Sequence, residues 1–244
     1  MVLSEHLFVK GGSLMAPDQW MFVGILFAAV IVFCIVVLTV AFTIRGKRAK
    51  EYASGPGTKN APIQQDPWLR FSAALAAPYA RMEMDRFPNR TGVSPDQAYF
   101  GFGSTVQHAM LRGLMRRDWG VRNSEQAHKT IQNTLKSLET LSPMNPQDED
   151  FGLGFDVARF ANLVRWAGNL GMIDKASAER YSAVLGTQAA ANFDSWEQYG
   201  RSYVVGLENF SRRGNKPYRK AIDWLLQDSQ SPWRTQAWAA GHRA

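Results

Sequence analysis

No charged side chain occurs from residue 19 to residue 44, and residues 21–44 form an almost wholly apolar run. The segment Met21 to Ile44 would span about 36 Å as a helix, against a bilayer hydrocarbon core of about 30 Å. The residues before it lack the basic start of a secretory signal, and the run is longer than the apolar core of such signals. The pattern predicts an uncleaved transmembrane helix at residues 21–44, preceded by a short extracytoplasmic N-terminus at residues 1–20.

Basic residues cluster directly after the apolar run. Arg45, Lys47, Arg48 and Lys50 follow it, whereas a single lysine precedes it. The flank that is richer in lysine and arginine stays in the cytoplasm. We therefore expect a single-pass protein of a bacterial inner membrane, with its N-terminus outside and its C-terminal domain in the cytoplasm.

Helical spacing of apolar residues dominates the rest of the chain. Residues 45–65 combine the basic stop-transfer cluster with a stretch rich in glycine and proline, which is typical of a flexible linker. From residue 66 onward, helix start and stop signals recur, and almost no segment shows the alternation of a strand. The pattern predicts an all-α fold of about seven helices in one cytoplasmic domain, residues 66–244.

Capping residues set the expected helix boundaries within that domain. Asp66 opens a first helix that Pro78 should end or kink, and Ser94 caps a second helix that should run to Trp119. Asp194 and Glu197 are expected to form a capping box. Further helices are expected at Asn123 to Leu141, Gly154 to Asn169, Asp174 to Phe193, Asp194 to Phe210, and Pro217 to Leu226, with a last turn at Ser231.

The net charge of +7 is distributed unevenly along the chain. Residues 1–50 carry +3, residues 51–200 carry −1 and residues 201–244 carry +5. A nearly neutral central domain offers no wide basic face, which disfavours nucleic acid as a partner. The basic cluster from Arg212 to Lys220 fits either a solvated loop or contact with anionic lipid headgroups.

Two segments of the domain have a recognisable sequence. The first is FDVARFANLVRWAG at residues 155–168, and the second is SWEQYGRSYVVG at residues 195–206. Together with LMRRDWGV at 114–121 and SPW at 231–233, they make roughly residues 109–238 resemble the bacterial family called domain of unknown function 1266. The resemblance implies an all-helical intracellular bacterial domain, and it implies no reaction.

Polar side chains within these two segments are the candidate functional residues. The cluster consists of Asp156, Arg159, Asn162, Arg165, Glu197 and Arg201. Glu197 and Arg201 stand four residues apart in the order that favours a helical ion pair. The arginines could surround an anionic ligand while a carboxylate serves as acid or base, or the cluster could be a buried network that joins two helices. We favour the buried network.

Signatures of common catalytic and metal-binding classes are absent from the sequence. It contains no Gly-x-Ser-x-Gly, no Walker loop and no His-Glu-x-x-His, and its one cysteine, Cys34, lies within the apolar run. The four histidines show no spacing typical of metal ligands. We therefore expect no catalytic residue, no metal and no cofactor.

A membrane anchor joined to a helical domain without catalytic signatures favours a protein-interaction or scaffolding module. Its partner would be another protein or a second copy of the chain, and Trp166, Trp196 and Tyr203 are candidate packing or partner-contacting aromatics. A sharper form of this hypothesis is an accessory or immunity component of a bacterial secretion or antagonism system. The alternative is an enzyme or an anion-binding domain that uses the polar cluster.

Overall fold

The structure is a computed structural model that describes residues 64–88, 92–141, 152–211 and 213–239. The chain divides into two units at residues 49 and 50, and all described residues belong to the second unit. Regular structure in these ranges is helical, with no strand, which confirms the all-α prediction. The helices are α1 (Pro67–Ala74), α2 (Ala77–Arg86), α3 (Pro95–Phe100), α4 (His108–Trp119), α5 (Ser124–Leu141), α6 (Leu153–Asn169), α7 (Lys175–Asn192), α8 (Trp196–Phe210), α9 (Lys216–Gln227) and α10 (Pro232–Thr235).

The predicted N-terminal elements lie outside the described residues. They are the extracytoplasmic segment 1–20, the membrane span 21–44 and the basic residues Arg45, Lys47, Arg48 and Lys50. Within the ranges that the structure describes, no helix combines the length and the hydropathy needed to cross a membrane.

Most of the predicted caps form as the sequence indicates. Ser94 and Gln97 make a reciprocal capping box, in which the Ser94 Oγ accepts from the Gln97 amide and the Gln97 side chain accepts from the Ser94 amide. Asp66, Asp174 and Ser231 each accept a hydrogen bond from an amide in the first turn of their helix. Pro78 ends the first predicted helix and then lies in the first turn of the next one, α2.

The predicted continuous helix from Ser94 to Trp119 is wrong. It is split into α3 and α4 by a loop at residues 101–107, which we call the 101–107 loop. Gly103 lies where a Cβ atom would be 2.5 Å from Val93 Cγ1 and 2.8 Å from the Gln97 carbonyl oxygen, so the chain turns back tightly onto α3 there. Glycine lowers the helix propensity of the segment, and tertiary contacts of the loop then decide its conformation.

The predicted cap of α8 at Asp194 is displaced by one residue. Ser195 is the N-cap, because its Oγ accepts from the Gln198 amide, and Gln198 in turn accepts from the Asp194 amide through its side chain. Glu197 is therefore free of a capping role and is available for a contact elsewhere.

Helix α6 is the centre of the described fold. It packs against α1, α2, α4, α5, α7 and α8, and fourteen of its seventeen residues are buried. A helix that is covered on nearly all sides needs apolar residues around its whole circumference, which matches its sequence. Any charged side chain in its interior must therefore be paired inside the protein.

Glycines allow α6 and α8 to approach closely at the N-terminal end of α6. A Cβ atom at Gly206 would lie 2.5 Å from the Gly152 carbonyl oxygen and 2.6 Å from Phe155 Cβ. Backbone atoms and a β-carbon have little freedom to move away, so a larger residue must push the two helices apart.

Replacement of Gly206 by alanine is expected to lower the free energy of unfolding by about 1–3 kcal/mol, because the added methyl group overlaps Gly152. Gly113 in α4 is the matched control, since nothing lies within 4 Å of the position of its Cβ. Alanine there should stabilise by up to about 1 kcal/mol through helix propensity. Urea unfolding monitored by tryptophan fluorescence measures both values, and equal effects of the two variants would contradict the close approach.

Candidate functional site

A buried ion pair links the interior of α6 to α2. Arg165 is 3% exposed and Glu83 is 2% exposed, and the Arg165 Nη2 lies 2.5 Å from the Glu83 Oε1. The same guanidinium donates through Nη1 to the Gly103 carbonyl at 2.6 Å, and through Nε and Nη2 to the Asn162 Oδ1 at 3.1 and 2.8 Å. All three nitrogens of the guanidinium thus have partners.

Both oxygens of the Glu83 carboxylate also accept hydrogen bonds. Its Oε1 also accepts from the Trp166 indole at 2.7 Å, and its Oε2 accepts from the Ser104 hydroxyl at 2.8 Å. Ser104 Oγ in turn accepts from the Val106 amide at 3.1 Å. We call Glu83, Ser104, Asn162, Arg165 and Trp166 the buried network.

The buried network holds the 101–107 loop against α6. Arg165 binds the Gly103 carbonyl, and Asn169 one turn later donates to the Phe102 carbonyl at 2.8 Å. These bonds satisfy main-chain groups that the break between α3 and α4 leaves without helical partners. The buried network therefore has a structural role, which is to hold the loop, and this role explains its polar groups without a ligand.

Glu83 is a member of the buried network that the sequence interpretation missed. The acid expected for the arginines was Asp156 or Glu197, whereas the structure supplies an acid from outside both recognised segments. A usable signal is present in α2, where Ala77, Ala80 and Glu83 follow one another at three-residue spacing and are all buried. A carboxylate on an otherwise apolar stripe of a helix indicates a buried partner.

Asp156 and Arg159 lie at the surface, away from Arg165. Asp156 Oδ1 is 3.6 Å from Arg159 Nη1, with the two side chains 36% and 25% exposed, respectively. Partial burial raises the pKa of the Asp156 carboxyl, and the positive charge of Arg159 lowers it in part. The Asp156–Arg159 pair is thus separate from the buried network, which contains Asn162 and Arg165, although the sequence predicted all four residues to belong to one cluster.

Aromatic rings surround the Arg159 guanidinium. Its carbon lies 5.1 Å from the Trp119 ring centroid, 5.4 Å from that of Phe155 and 4.7 Å from that of Phe210. Such distances are within the range of cation–π attraction. We call Trp119, Phe155, Asp156, Arg159 and Phe210 the Arg159 surface, which joins the ends of α4 and α8 to the beginning of α6.

Phe210 is the most exposed large apolar residue among those described, at 64%. It packs on Phe155 at 5.3 Å between ring centroids but leaves most of its ring in solvent. Its ring therefore adds exposed apolar surface beside the Arg159 guanidinium.

The predicted ion pair between Glu197 and Arg201 is wrong. Glu197 Oε1 instead lies 3.9 Å from Arg234 Nη1 on α10, and both side chains are half exposed. The indole of Trp233 stacks on Trp196 and brings α10 beside the first turn of α8, which places Arg234 within reach. Such exposed pairs contribute about 0–1 kcal/mol.

The three aromatic candidates are packing residues. Trp166 and Trp196 are buried, as is Tyr203, and Trp196 stacks on Trp233 at 5.1 Å with nearly parallel rings. The Trp196 indole donates to the Gln236 carbonyl at 2.8 Å, and Tyr203 meets Phe155 edge-on at 5.6 Å. None of the three is available to a partner in this conformation.

His108 at the first position of α4 is the most buried histidine of the described ranges. It is 4% exposed, and its Nε2 has no hydrogen-bond partner among the described residues. Burial lowers the pKa of His108, and the nearby Arg112 charge lowers it further. The folded protein therefore favours the neutral imidazole.

Stability is expected to fall as the pH drops below about 6.5, because the unfolded chain then binds a proton at His108 that the folded chain resists. Above that pH the contribution of His108 is fully present. Urea unfolding at a series of pH values should show a steeper loss for the natural chain than for the His108→Gln variant. Identical pH profiles of the two proteins would exclude His108 as the cause.

No group of three or more histidine, cysteine, aspartate or glutamate side chains suitable for a metal occurs in the described ranges.

Fold and site together define an all-helical domain built around a buried arginine–glutamate pair. A family model described as "Protein of unknown function (DUF1266)" matches residues 133–238, which supports the family resemblance over that part of the chain. The match includes Asn162, Arg165 and Trp166 but neither Glu83 nor the segment 114–121. No curated protein and no solved structure matches the chain.

Proposed function

We propose that the helical domain is a protein-interaction module that binds its partner through the Arg159 surface, and that residues 21–44 hold it at a membrane. The observation that carries this proposal is the exposed Phe210 beside the aromatic-flanked Arg159. Arginine and aromatic residues are enriched among those that dominate binding energy. In this proposal, the basic residues after the span keep the domain on the cytoplasmic side of a bacterial inner membrane.

The arrangement of Arg159 favours recognition of a partner over a purely structural role. Its side chain is 25% exposed and its guanidinium already lies beside three rings, so little rotamer entropy remains to be lost on binding. Desolvation of the neighbouring Phe210 by a partner would add a favourable hydrophobic contribution. Both features belong to a surface that is organised before its partner arrives.

An anion-binding or enzymatic role for the polar cluster has weaker support. Arg165 and Asn162 are sealed inside the protein and saturated by Glu83 and main-chain groups, so a substrate cannot reach them. Glu197 and Arg201 point to separate partners or to solvent rather than to Arg159. The cluster thus lacks the convergence of groups that a catalytic site requires.

Chemical crosslinking of native membranes, followed by gentle detergent extraction, tests the proposed function. The chain should migrate in a complex with a second protein species, or with further copies of itself, that survives extraction. Recovery of the chain alone, with no crosslinked species, would contradict an interaction module.

A further inference from the structure

Basic residues border the Arg159 surface on the side of α9. Tyr218 in the first turn of α9 lies 5.6 Å from Tyr79 between ring centroids, and Tyr79 in turn lies 6.3 Å from Tyr203, which packs on Phe155. The beginnings of α2, α6 and α9 and the ends of α4 and α8 therefore lie close together.

Three acidic residues of this region are already paired with arginines. Asp118 binds Arg117, Glu208 binds Arg219 across α8 and α9, and Asp156 binds Arg159. Three further cations, Arg213, Lys216 and Lys220, are exposed and form no salt bridge within the described ranges. We call these three residues the basic rim.

An apolar centre with a charged border has the composition of a protein-binding interface. The centre here is Phe210 with the rings around Arg159, and the border carries unneutralised positive charge. The complementary ligand presents an aromatic or aliphatic side chain to Phe210 and carboxylates to the basic rim. Opposite charges at the border accelerate association and suppress incorrect partners.

We propose that the Arg159 surface and the basic rim together bind an acidic segment of a partner protein that contains large apolar side chains. The proposal rests on the proposed function and specifies the chemistry of the partner. Carboxylates of this segment can pair with the exposed cations of the basic rim, and its apolar side chains can cover the exposed ring of Phe210.

The distribution of charge favours a peptide over an anionic membrane as the occupant. Asp118, Asp156 and Glu208 are interspersed among the cations of the region, and a continuous anionic surface would meet all of them. A peptide can place its carboxylates opposite the unpaired cations alone. Like charges brought close together at an interface oppose association.

Fluorescence anisotropy of the full chain in detergent micelles tests the proposal. The probe is a short fluorescein-labelled peptide built from the repeat Asp-Asp-Leu-Phe, and the comparison peptide has lysine in place of aspartate. The acidic peptide should bind with an affinity that falls as salt is added, and the basic peptide should not bind. Phe210→Ala and the double variant Lys216→Glu/Lys220→Glu should each weaken binding by about tenfold or more.

Two variants on other faces are matched controls. Met110 is the other exposed large apolar residue of the described ranges, at 44%, and it lies nine residues, or about two and a half helical turns, before Trp119 on α4. It therefore faces away from the Arg159 surface, and Met110→Ala should leave the affinity unchanged. Lys129→Glu/Lys136→Glu on α5 makes the same charge change as the α9 double variant, at exposed positions elsewhere, and should also have no effect.

Failure of the acidic peptide to bind, or equal losses in the variants and their controls, would overturn the proposal. Binding of the chain to phosphatidylserine-containing vesicles that is lost in Phe210→Ala, without peptide binding, would assign the surface to lipid and overturn it as well. The proposed function would survive either result if crosslinking of native membranes still gave a protein complex.

Discussion

Replacement of Glu83 by alanine is expected to lower the free energy of unfolding by about 3–5 kcal/mol, since it leaves the buried charge of Arg165 without its counter-ion. The Trp166 indole and the Ser104 hydroxyl lose their acceptor at the same time. Buried donors without acceptors cost roughly 1–3 kcal/mol each in mutational data. Urea unfolding of the full chain in detergent micelles, followed by tryptophan fluorescence, measures the loss.

Asp85→Ala is the matched control for this variant. Asp85 lies on the same helix and pairs with Arg81 at 2.8 Å, but both side chains are partly exposed to solvent. Its removal should cost no more than about 1 kcal/mol. The double variant Glu83→Leu/Arg165→Met should be less destabilised than Glu83→Ala because it removes both buried charges, although the two neutral donors to Glu83 still lack their acceptor. A loss in Glu83→Ala as small as that in Asp85→Ala would contradict the buried pair.

Truncation of Trp196 to alanine is the second large effect that we expect, with a loss of about 3–5 kcal/mol in the free energy of unfolding. Its indole contacts four other aromatic rings, among them Trp233 at a centroid distance of 5.1 Å, Phe71 at 5.4 Å and Trp238 at 4.8 Å. The variant also leaves the Gln236 carbonyl without its donor. The end of the chain beyond α9 should therefore detach before the rest unfolds.

Phe210→Ala on the same helix is the control for Trp196→Ala. Its ring is mostly in solvent, and its removal should change the free energy of unfolding by less than about 1 kcal/mol. Thermal unfolding recorded by circular dichroism compares the two variants directly. A stable Trp196→Ala protein would show that this aromatic cluster is not part of the core.

Local sequence signals predicted the helices well because capping is decided within a few residues. Ser94 and Gln97 are three positions apart, and their reciprocal hydrogen bonds do not depend on the rest of the fold. Gly120 and Gly171 end their helices with positive φ values of 68° and 64°, a conformation that glycine adopts without strain. These signals were enough to predict the all-α class.

Contacts between distant parts of the chain decided the features that the sequence interpretation missed. Arg165 pairs with Glu83, which lies eighty-two residues earlier, rather than with Asp156 on its own helix. Glu197 pairs with Arg234 rather than with Arg201, because the stacking of Trp196 on Trp233 fixes the position of α10. Neither ion pair can be predicted from the spacing of neighbouring residues, since each depends on how the helices pack in three dimensions.

The polar residues of α6 divide into two groups with different tasks. Asn162 and Arg165 face the interior and hold the 101–107 loop in place. Asp156 and Arg159 face solvent beside Phe210. Periodicity places all four on one slowly rotating stripe, and the rotation carries its first two members out of the core. Their common spacing in the sequence therefore does not imply a common function.

Site-specific photocrosslinking in native membranes tests the central claim most directly, namely that the domain binds a protein through the Arg159 surface. A photoreactive phenylalanine analogue is introduced at Phe210 and, as the control, at Met110, which are the two exposed large apolar positions of the described ranges. The account predicts a protein adduct at position 210 that is absent at position 110 and is reduced by the Lys216→Glu/Lys220→Glu variant. Equal adducts at both positions, or none at position 210, would contradict it.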